Sequence, residues 1–200
     1  MNRILKNTLI LTAITVVSGL LLGFVYELTK EPIARQEELA KTEAYAEVFP
    51  DADSFRELED LEGAAVYLAS TEYSTVEINE VAEACDTSGN VLGHVFNLTT
   101  PEGYGGDIQL TVGIRNDKTI LGISFLSISE TAGLGMNADT EEWKAQFRGI
   151  QADEIVYTKT GKSAEGEIDA ISSATVTTGA VTGAVNAALG LADYYAEQGV

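Results

Sequence analysis

Cysteine and histidine each occur once in the 200 residues, as Cys85 and His94, and that scarcity removes whole classes of chemistry. An internal disulfide is impossible. Neither a Cys/His zinc site nor a cysteine-ligated iron–sulfur cluster can be assembled from this chain, so no metal site is expected. Cys85 lies in an alternating stretch and reads as a small buried apolar residue rather than a nucleophile. His94, next to Gly93 on an expected strand, reads as structural. Basic residues are scarce too: 12 Lys and Arg stand against 31 Asp and Glu, a formal charge of -19. Such a surface repels nucleic acid and anionic head groups, and no basic patch offsets it, so no nucleic-acid partner is expected. The acid excess itself suits solubility.

What the chain does have is enough apolar material for a core, 45% of its residues with eight tyrosines among them, and one long uncharged run. Asn7 to Tyr26 passes twenty residues without a charge, between Lys6 and Glu27, which suffices for one helix to cross a bilayer. A cleavable signal peptide is the rival reading. Its apolar core is normally shorter and ends in a small-x-small site, and none follows here. Arg3 and Lys6 precede the run while Lys30, Arg35 and Lys41 follow it, so positive charge alone does not fix the orientation. The organisation expected is a short tail at 1–6, a transmembrane helix at 7–26, a helical connector at 27–63 and a domain at 64–200.

Within the connector, Glu27 to Pro32 reads as a break, because proline removes a backbone donor and restricts the residue before it. Ile33 to Phe49 reads as a resumed polar helix ended by Pro50, and Asp51 to Gly63 as an acidic link with some helical character. From Ala64 the apolar period moves toward two, with strands expected near Ala64–Ala69, Val91–Leu98, Ile108–Ile114 and Ile120–Ser127 and a turn at Asn116-Asp117-Lys118. Ile155–Lys159 adds another strand. Asp139 with Glu142 has the spacing of a capping box, ahead of a short helix on which Trp143 and Phe147 share a face. Val176 to Tyr195 is the last helix. Together these elements give an α+β chain: a single N-terminal transmembrane helix, then a mostly antiparallel sheet domain with packed helices.

Three segments carry the candidate chemistry. Asp169-Ala170-Ile171-Ser172-Ser173-Ala174-Thr175 opens directly into the last helix, and a helix N-terminus offers free N–H groups and a partial positive charge to a phosphate. Read alone, Ser172 or Ser173 could serve only as the helix cap. Gly103-Tyr104-Gly105-Gly106 and Glu130-Thr131-Ala132-Gly133-Leu134-Gly135 are glycine-rich loops. Neither has the order of a Walker loop or of GxGxxG, so nucleoside triphosphate and dinucleotide sites of those types are not supported.

Asp169-x-x-Ser172-Ser173-Ala174-Thr175 resembles the flavin-attachment motif of the FMN-binding domain family, with Ser173 where glycine is usual. The order GYGG, two strands, a Glu-Thr-Ala-Gly-Leu-Gly loop with Ala132 in place of the usual proline, a Trp/Phe helix and then the motif resembles the G subunits of the Rnf electron-transport complex over the whole chain. The C subunits of the sodium-translocating NADH:quinone oxidoreductase share the attachment motif but are usually longer, and stand as the alternative.

The resemblance implies FMN held by a phosphoester to Thr175, with Ser172, Ser173, Ala174 and Asp169 from the motif, Glu130, Thr131, Gly133, Leu134 and Gly135 from the second loop and Tyr104 from the first around it. It implies a cell-membrane, single-pass flavoprotein whose domain faces outside the cytoplasm. Its partners would be the other membrane and iron–sulfur subunits of the complex, which oxidises reduced ferredoxin and reduces NAD. A magnesium-dependent flavin transferase would install the cofactor, since threonine is a weak nucleophile without an adjacent base. Asp169 would be either part of what that enzyme reads or a turn residue. No catalytic residue and no activity of the isolated chain are implied. An anchored, non-redox binding module with unmodified Thr175 and a free-standing flavin reductase are the other classes, and covalent flavin or isolated turnover separates them.

Overall fold

The computed structural model describes residues 3–199; Met1 and Asn2 of the expected tail and Val200 of the expected domain lie outside the described residues. Helix α1, Arg3–Val48, is a single helix of 46 residues with Pro32 inside it. The break expected at Glu27–Pro32 is therefore absent. Proline forfeits one N–H bond and crowds the carbonyl four residues back, at about 3 kcal/mol. The flanks, rich in Leu, Ala, Glu and Lys, favour helix on both sides and carry it through. Every side chain from Arg3 to Ala40 is exposed, including the whole uncharged run. An apolar surface all round a helix is suited to lipid rather than to water.

The chain divides into two compact units, Met1–Thr42 and Glu43–Val200. The globular unit thus begins before Ala64, because the end of α1 and a strand within the supposed acidic link both belong to it. Strands β1 (Ser54–Glu57), β2 (Glu77–Cys85), β3 (Val91–Thr100), β4 (Ile108–Arg115) and β5 (Ile120–Ser127) form a sheet in simple sequence order. All neighbours are antiparallel. Ala64–Ala69, expected as a strand, lies instead in helix α2, Glu62–Ala69. A short apolar run fits either period, and here Ala64 and Leu68, four apart, both turn inward.

Helix α4, Thr175–Gln198, packs on β3 and β4 and is joined by α2. Phe96, Leu98, Leu110 and Val112 from the strands meet Val181, Val185 and Leu189 from α4 in one core. Each such large side chain, removed from water, contributes about 2 kcal/mol. The opposite face of the sheet receives the last turn of α1 and the residue after it: Tyr45, Val48 and Phe49 pack on Ala82, Ala84 and Val95. Gly113 and Gly122 are paired across β4 and β5, and a Cβ on Gly113 would stand 2.2 Å from the Val48 carbonyl oxygen. Only glycine lets the helix backbone lie directly on the strand there.

Beyond β5, helix α3 (Glu141–Lys144) follows a 3-10 turn at Gly135–Asp139. The cap is Thr140, whose side chain accepts the Trp143 N–H, and not Asp139 of the expected capping box. Asp139 instead lies 3.7 Å from Lys144 Nζ. Lys144 is buried and also meets Glu141 at 2.8 Å and Glu47, near the end of α1, at 3.1 Å. Burial alone would lower its pKa, but its hydrogen bonds to Glu141 and Glu47 outweigh that and hold it above the ordinary value. Trp143 and Phe147 do share a face, their rings edge-on at 5.2 Å. A parallel pair, β6 (Val156–Thr158) with β7 (Glu167–Asp169), completes the unit. Cys85 is buried, as expected, and His94, read as structural, is buried in the sheet as well.

Candidate functional site

The attachment-like motif begins on β7 and ends in the first residue of α4, so its geometry is fixed from two sides. Trp143 Nε1 donates to the Asp169 carbonyl at 2.9 Å, and Gln146 Oε1 accepts the Asp169 N–H at 2.8 Å. These bonds tie the start of the motif to the helical segment around Trp143. At its other end Thr178 Oγ1 accepts the Ile171 N–H at 3.1 Å and donates to the Ala174 carbonyl at 2.9 Å. One hydroxyl thereby staples the turn that leads into α4.

Within that turn Ser173 has φ of +64°, the left-handed region that an L side chain enters at a cost. A glycine, lacking a Cβ, would enter that region without the cost. No side chain caps α4: its flanking residue is Ala174, and Ser172 and Ser173 are both exposed without capping it. The first helical bond runs from Thr178 N–H to the Ala174 carbonyl at 3.0 Å. The N–H groups of Thr175, Val176 and Thr177 precede it and have no intrahelical acceptor.

A cavity of 440 Å³ opens over this helix start, within the roughly 300–1,000 Å³ usual for cofactor sites. Its walls come from three distant segments: Tyr104 from the β3–β4 loop, Glu130, Thr131, Leu134 and Gly135 from the loop after β5, and Ser173 to Thr177 from the motif. Glu130 is the joint between the first two. It is buried, and its Oε1 accepts the Gly105 N–H at 3.1 Å, which locks one glycine-rich loop onto the other. Tyr104 is 75% exposed at the mouth, beside exposed Leu134 and Val176.

Eight of the expected residues line this cavity: Tyr104, Glu130, Thr131, Leu134, Gly135, Ser173, Ala174 and Thr175. Gly133 does not; with φ of +74° it turns the loop, and its carbonyl accepts from Asn137 Nδ2 at 3.2 Å. Asp169 and Ser172 line a separate cavity of 590 Å³ with Trp143, Gln146 and Lys162. There Asp169 Oδ1 accepts the Lys162 N–H at 2.7 Å. Sequence reasoning missed Val176, Thr177 and the stapling Thr178. The legible sign was the density of threonines, at 175, 177, 178 and 182, in the first turns of an otherwise apolar helix.

The chemistry of the first cavity is that of a phosphorylated, partly aromatic ligand. Free N–H groups and a hydroxyl stand at the helix start, a buried carboxylate stands at the floor, and apolar side chains ring the mouth. FMN has those parts, and the residues present fit it. Among the described residues no cluster of His, Cys, Asp and Glu could hold a metal ion.

Comparison with known proteins finds relatives along the whole chain. The FMN-binding domain family matches residues 103–190, which contain all three wall segments, and the RnfG N-terminal region matches residues 1–48. The G subunit of the Na(+)-translocating ferredoxin:NAD(+) oxidoreductase complex of Acetobacterium woodii is 32% identical, over 92% of this chain and 88% of its own length. The G subunit of the ion-translocating oxidoreductase complex of Methanosarcina acetivorans is 32% identical over 98% of this chain and 97% of its own. Among solved structures, NqrC of Shewanella oneidensis aligns with a TM-score of 0.47 and 24% identity over 56% of each chain.

Proposed function

The chain belongs to the G subunits of ion-translocating Rnf-type oxidoreductase complexes, and we propose that it is the membrane-anchored FMN subunit of such a complex, relaying electrons between reduced ferredoxin and NAD through partner subunits. The observation that carries the reading is the cavity itself, where two glycine-rich loops locked together by Glu130 meet the uncapped start of α4 at Thr175. FMN, when bound, supplies the redox chemistry.

This chain's residues hold and orient. Thr175 Oγ1 would carry the phosphoester, and the free N–H groups of the first turn would meet the phosphate charge. Glu130 sets the local potential, because a carboxylate in a site with little water disfavours added negative charge. Tyr104, Leu134 and Val176 shield the ring. Attachment would be the work of a flavin transferase acting on FAD: the Thr175 oxygen–phosphorus bond would form as the hydroxyl proton passes to a base of the transferase, the phosphoanhydride would break, and AMP would leave. Asp169, in the separate cavity, serves that maturation step rather than the resident cofactor.

The uncharged run of α1 anchors the chain as a single span, with the globular unit outside the cytoplasm beside the membrane and iron–sulfur subunits. Two experiments test this. Full-length chain co-expressed with a flavin transferase gains the mass of one FMN less water, and a transferase-free preparation does not; equal masses refute the attachment. Protease added to intact cells or spheroplasts digests the unit after Tyr26, and digestion confined to inside-out vesicles reverses the orientation.

A further inference from the structure

One polar group in the Thr175 cavity is used neither by attachment nor by the fold. Thr177 is 1% exposed and lines the cavity, yet its hydroxyl makes no hydrogen bond among the described residues. Thr178 and Thr182, on the same helix, both donate back to helix carbonyls. The hydroxyl is not sealed: the buried side-chain polar atoms left without a partner among the described residues are His94 Nε2 and Tyr195 Oη, so Thr177 Oγ1 opens on the cavity, where an occupant can bond it.

Its surroundings indicate what would satisfy it. A Cβ on Gly135 would stand 2.6 Å from Thr177 Oγ1 and 2.5 Å from Glu130 Oε2, so both oxygens converge over a bare glycine. Glu130 Oε1 is taken by the Gly105 N–H, and Oε2 is the oxygen turned to this spot. The pair offers a carboxylate that accepts and a hydroxyl that donates or accepts. A ligand's own hydroxyl, which does both, is the complement.

Position along the helix decides which part of a flavin that is. Thr177 lies two residues beyond Thr175, about 3 Å along the axis. The polyol chain adjoins the phosphate, whereas the planar and largely apolar ring suits the Tyr104, Leu134 and Val176 mouth. We propose that Glu130 and Thr177 form a seat for the ribityl hydroxyls, which selects a phosphate ester bearing a hydroxylated chain and leaves the flavin ring at the mouth of the cavity. The proposal rests on the FMN reading above and adds a specificity-determining residue, Thr177, to it.

The test uses full-length chain in detergent, made without a flavin transferase and titrated with two probes: FMN, and a flavin whose ribityl phosphate is replaced by an unhydroxylated pentyl phosphate. Wild type prefers FMN by about five-fold or more, the worth of one ordinary hydrogen bond or better. Thr177→Val loses most of that preference, and Thr177→Ser keeps it. Thr177→Ala, which adds no bulk, repeats the valine result if that variant does not fold. On transferase-loaded chain the valine or alanine variant also lowers the fluorescence anisotropy of the flavin. Equal affinity of wild type for both probes, or a preference and an anisotropy untouched by removing the hydroxyl, overturns the seat and leaves the FMN assignment standing. Wild type that binds neither probe and takes up no flavin with the transferase overturns the assignment itself, and the seat with it.

Discussion

The two cavities that flank the Ser172-Ser173-Ala174 turn divide one short motif between them. The cavity on the Thr175 side is walled by three segments drawn from residues 104 to 177 and contains the buried Glu130 and Thr177. The one on the Asp169 side, lined by Trp143, Gln146 and Lys162, has exposed Ser172 and Lys162 at its edge. Long-range walls and buried polar groups are the marks of a place built to keep a ligand. A more exposed, locally built cleft suits a transient visitor. On the proposed reading the motif divides in the same way: Ser173, Ala174 and Thr175 would hold the cofactor, and Asp169 and Ser172 would be recognised during maturation.

Crowding the holding side should give the largest effect. A methyl on Gly135 would meet Glu130 Oε2 at 2.5 Å and Thr177 Oγ1 at 2.6 Å. Gly135→Ala is therefore expected to cost about 1–3 kcal/mol of stability and most of the flavin, read as melting temperature and bound-flavin absorbance. A variant as stable and as fully loaded as wild type would show that this wall is not in contact with the ligand. Next in size is the recognition side. Asp169→Asn keeps an oxygen for the Lys162 N–H but removes the charge, so loading by the transferase should slow while the potential of whatever flavin is attached stays unchanged. A shifted potential with normal loading would move Asp169 to the holding side. Glu130→Gln is the converse: loading persists, and the potential rises as a negative charge leaves. Unchanged potential together with unchanged electron transfer would remove Glu130 from the redox site.

Smaller effects sharpen the same contrast. Ser173→Gly relieves a left-handed serine and should raise stability by about 1 kcal/mol without loss of loading. If loading were abolished, the correspondence of Ser173 with the motif's glycine would be wrong. His94 provides a control remote from both cavities. Burial lowers its pKa below the ordinary 6.5, with Glu83 opposing only in part, and its Nε2 has no partner beside the stacked Tyr195 ring. The folded state thus holds this proton less tightly than the unfolded one. Its contribution is complete above pH 6.5 and is lost as the pH falls through and below that value toward the depressed one. His94→Phe should flatten that part of the melting profile and leave flavin loading alone; an unaltered pH profile would assign the acid sensitivity elsewhere.

Which of these features the sequence disclosed follows from how local each one is. Strands β3, β4 and β5, the last helix and the three wall segments were legible because each has its own period or its own glycines. Strand β2 was not, since Glu80 and Glu83 interrupt its apolar pattern. Their partners are distant: the Tyr45 hydroxyl donates to Glu80 Oε1 at 2.6 Å, and Arg56 on β1 pairs with Glu83. Strand β1 was hidden for the same reason, as four mostly exposed residues that make sense only against β2. The assignment of Asp169 and Thr175 to different cavities was likewise beyond the motif's spacing. It depends on the left-handed Ser173 and on the Thr178 staple, and neither shows in a linear pattern.

On the proposed reading one hydroxyl, that of Thr175, carries the cofactor. The most direct test of that reading is the intact mass, with in-gel flavin fluorescence after denaturation, of wild type and Thr175→Val made side by side with a flavin transferase. One flavin adduct and a fluorescent band are expected for wild type, and neither for a valine variant that remains folded. A denaturation-resistant flavin on Thr175→Val would contradict it.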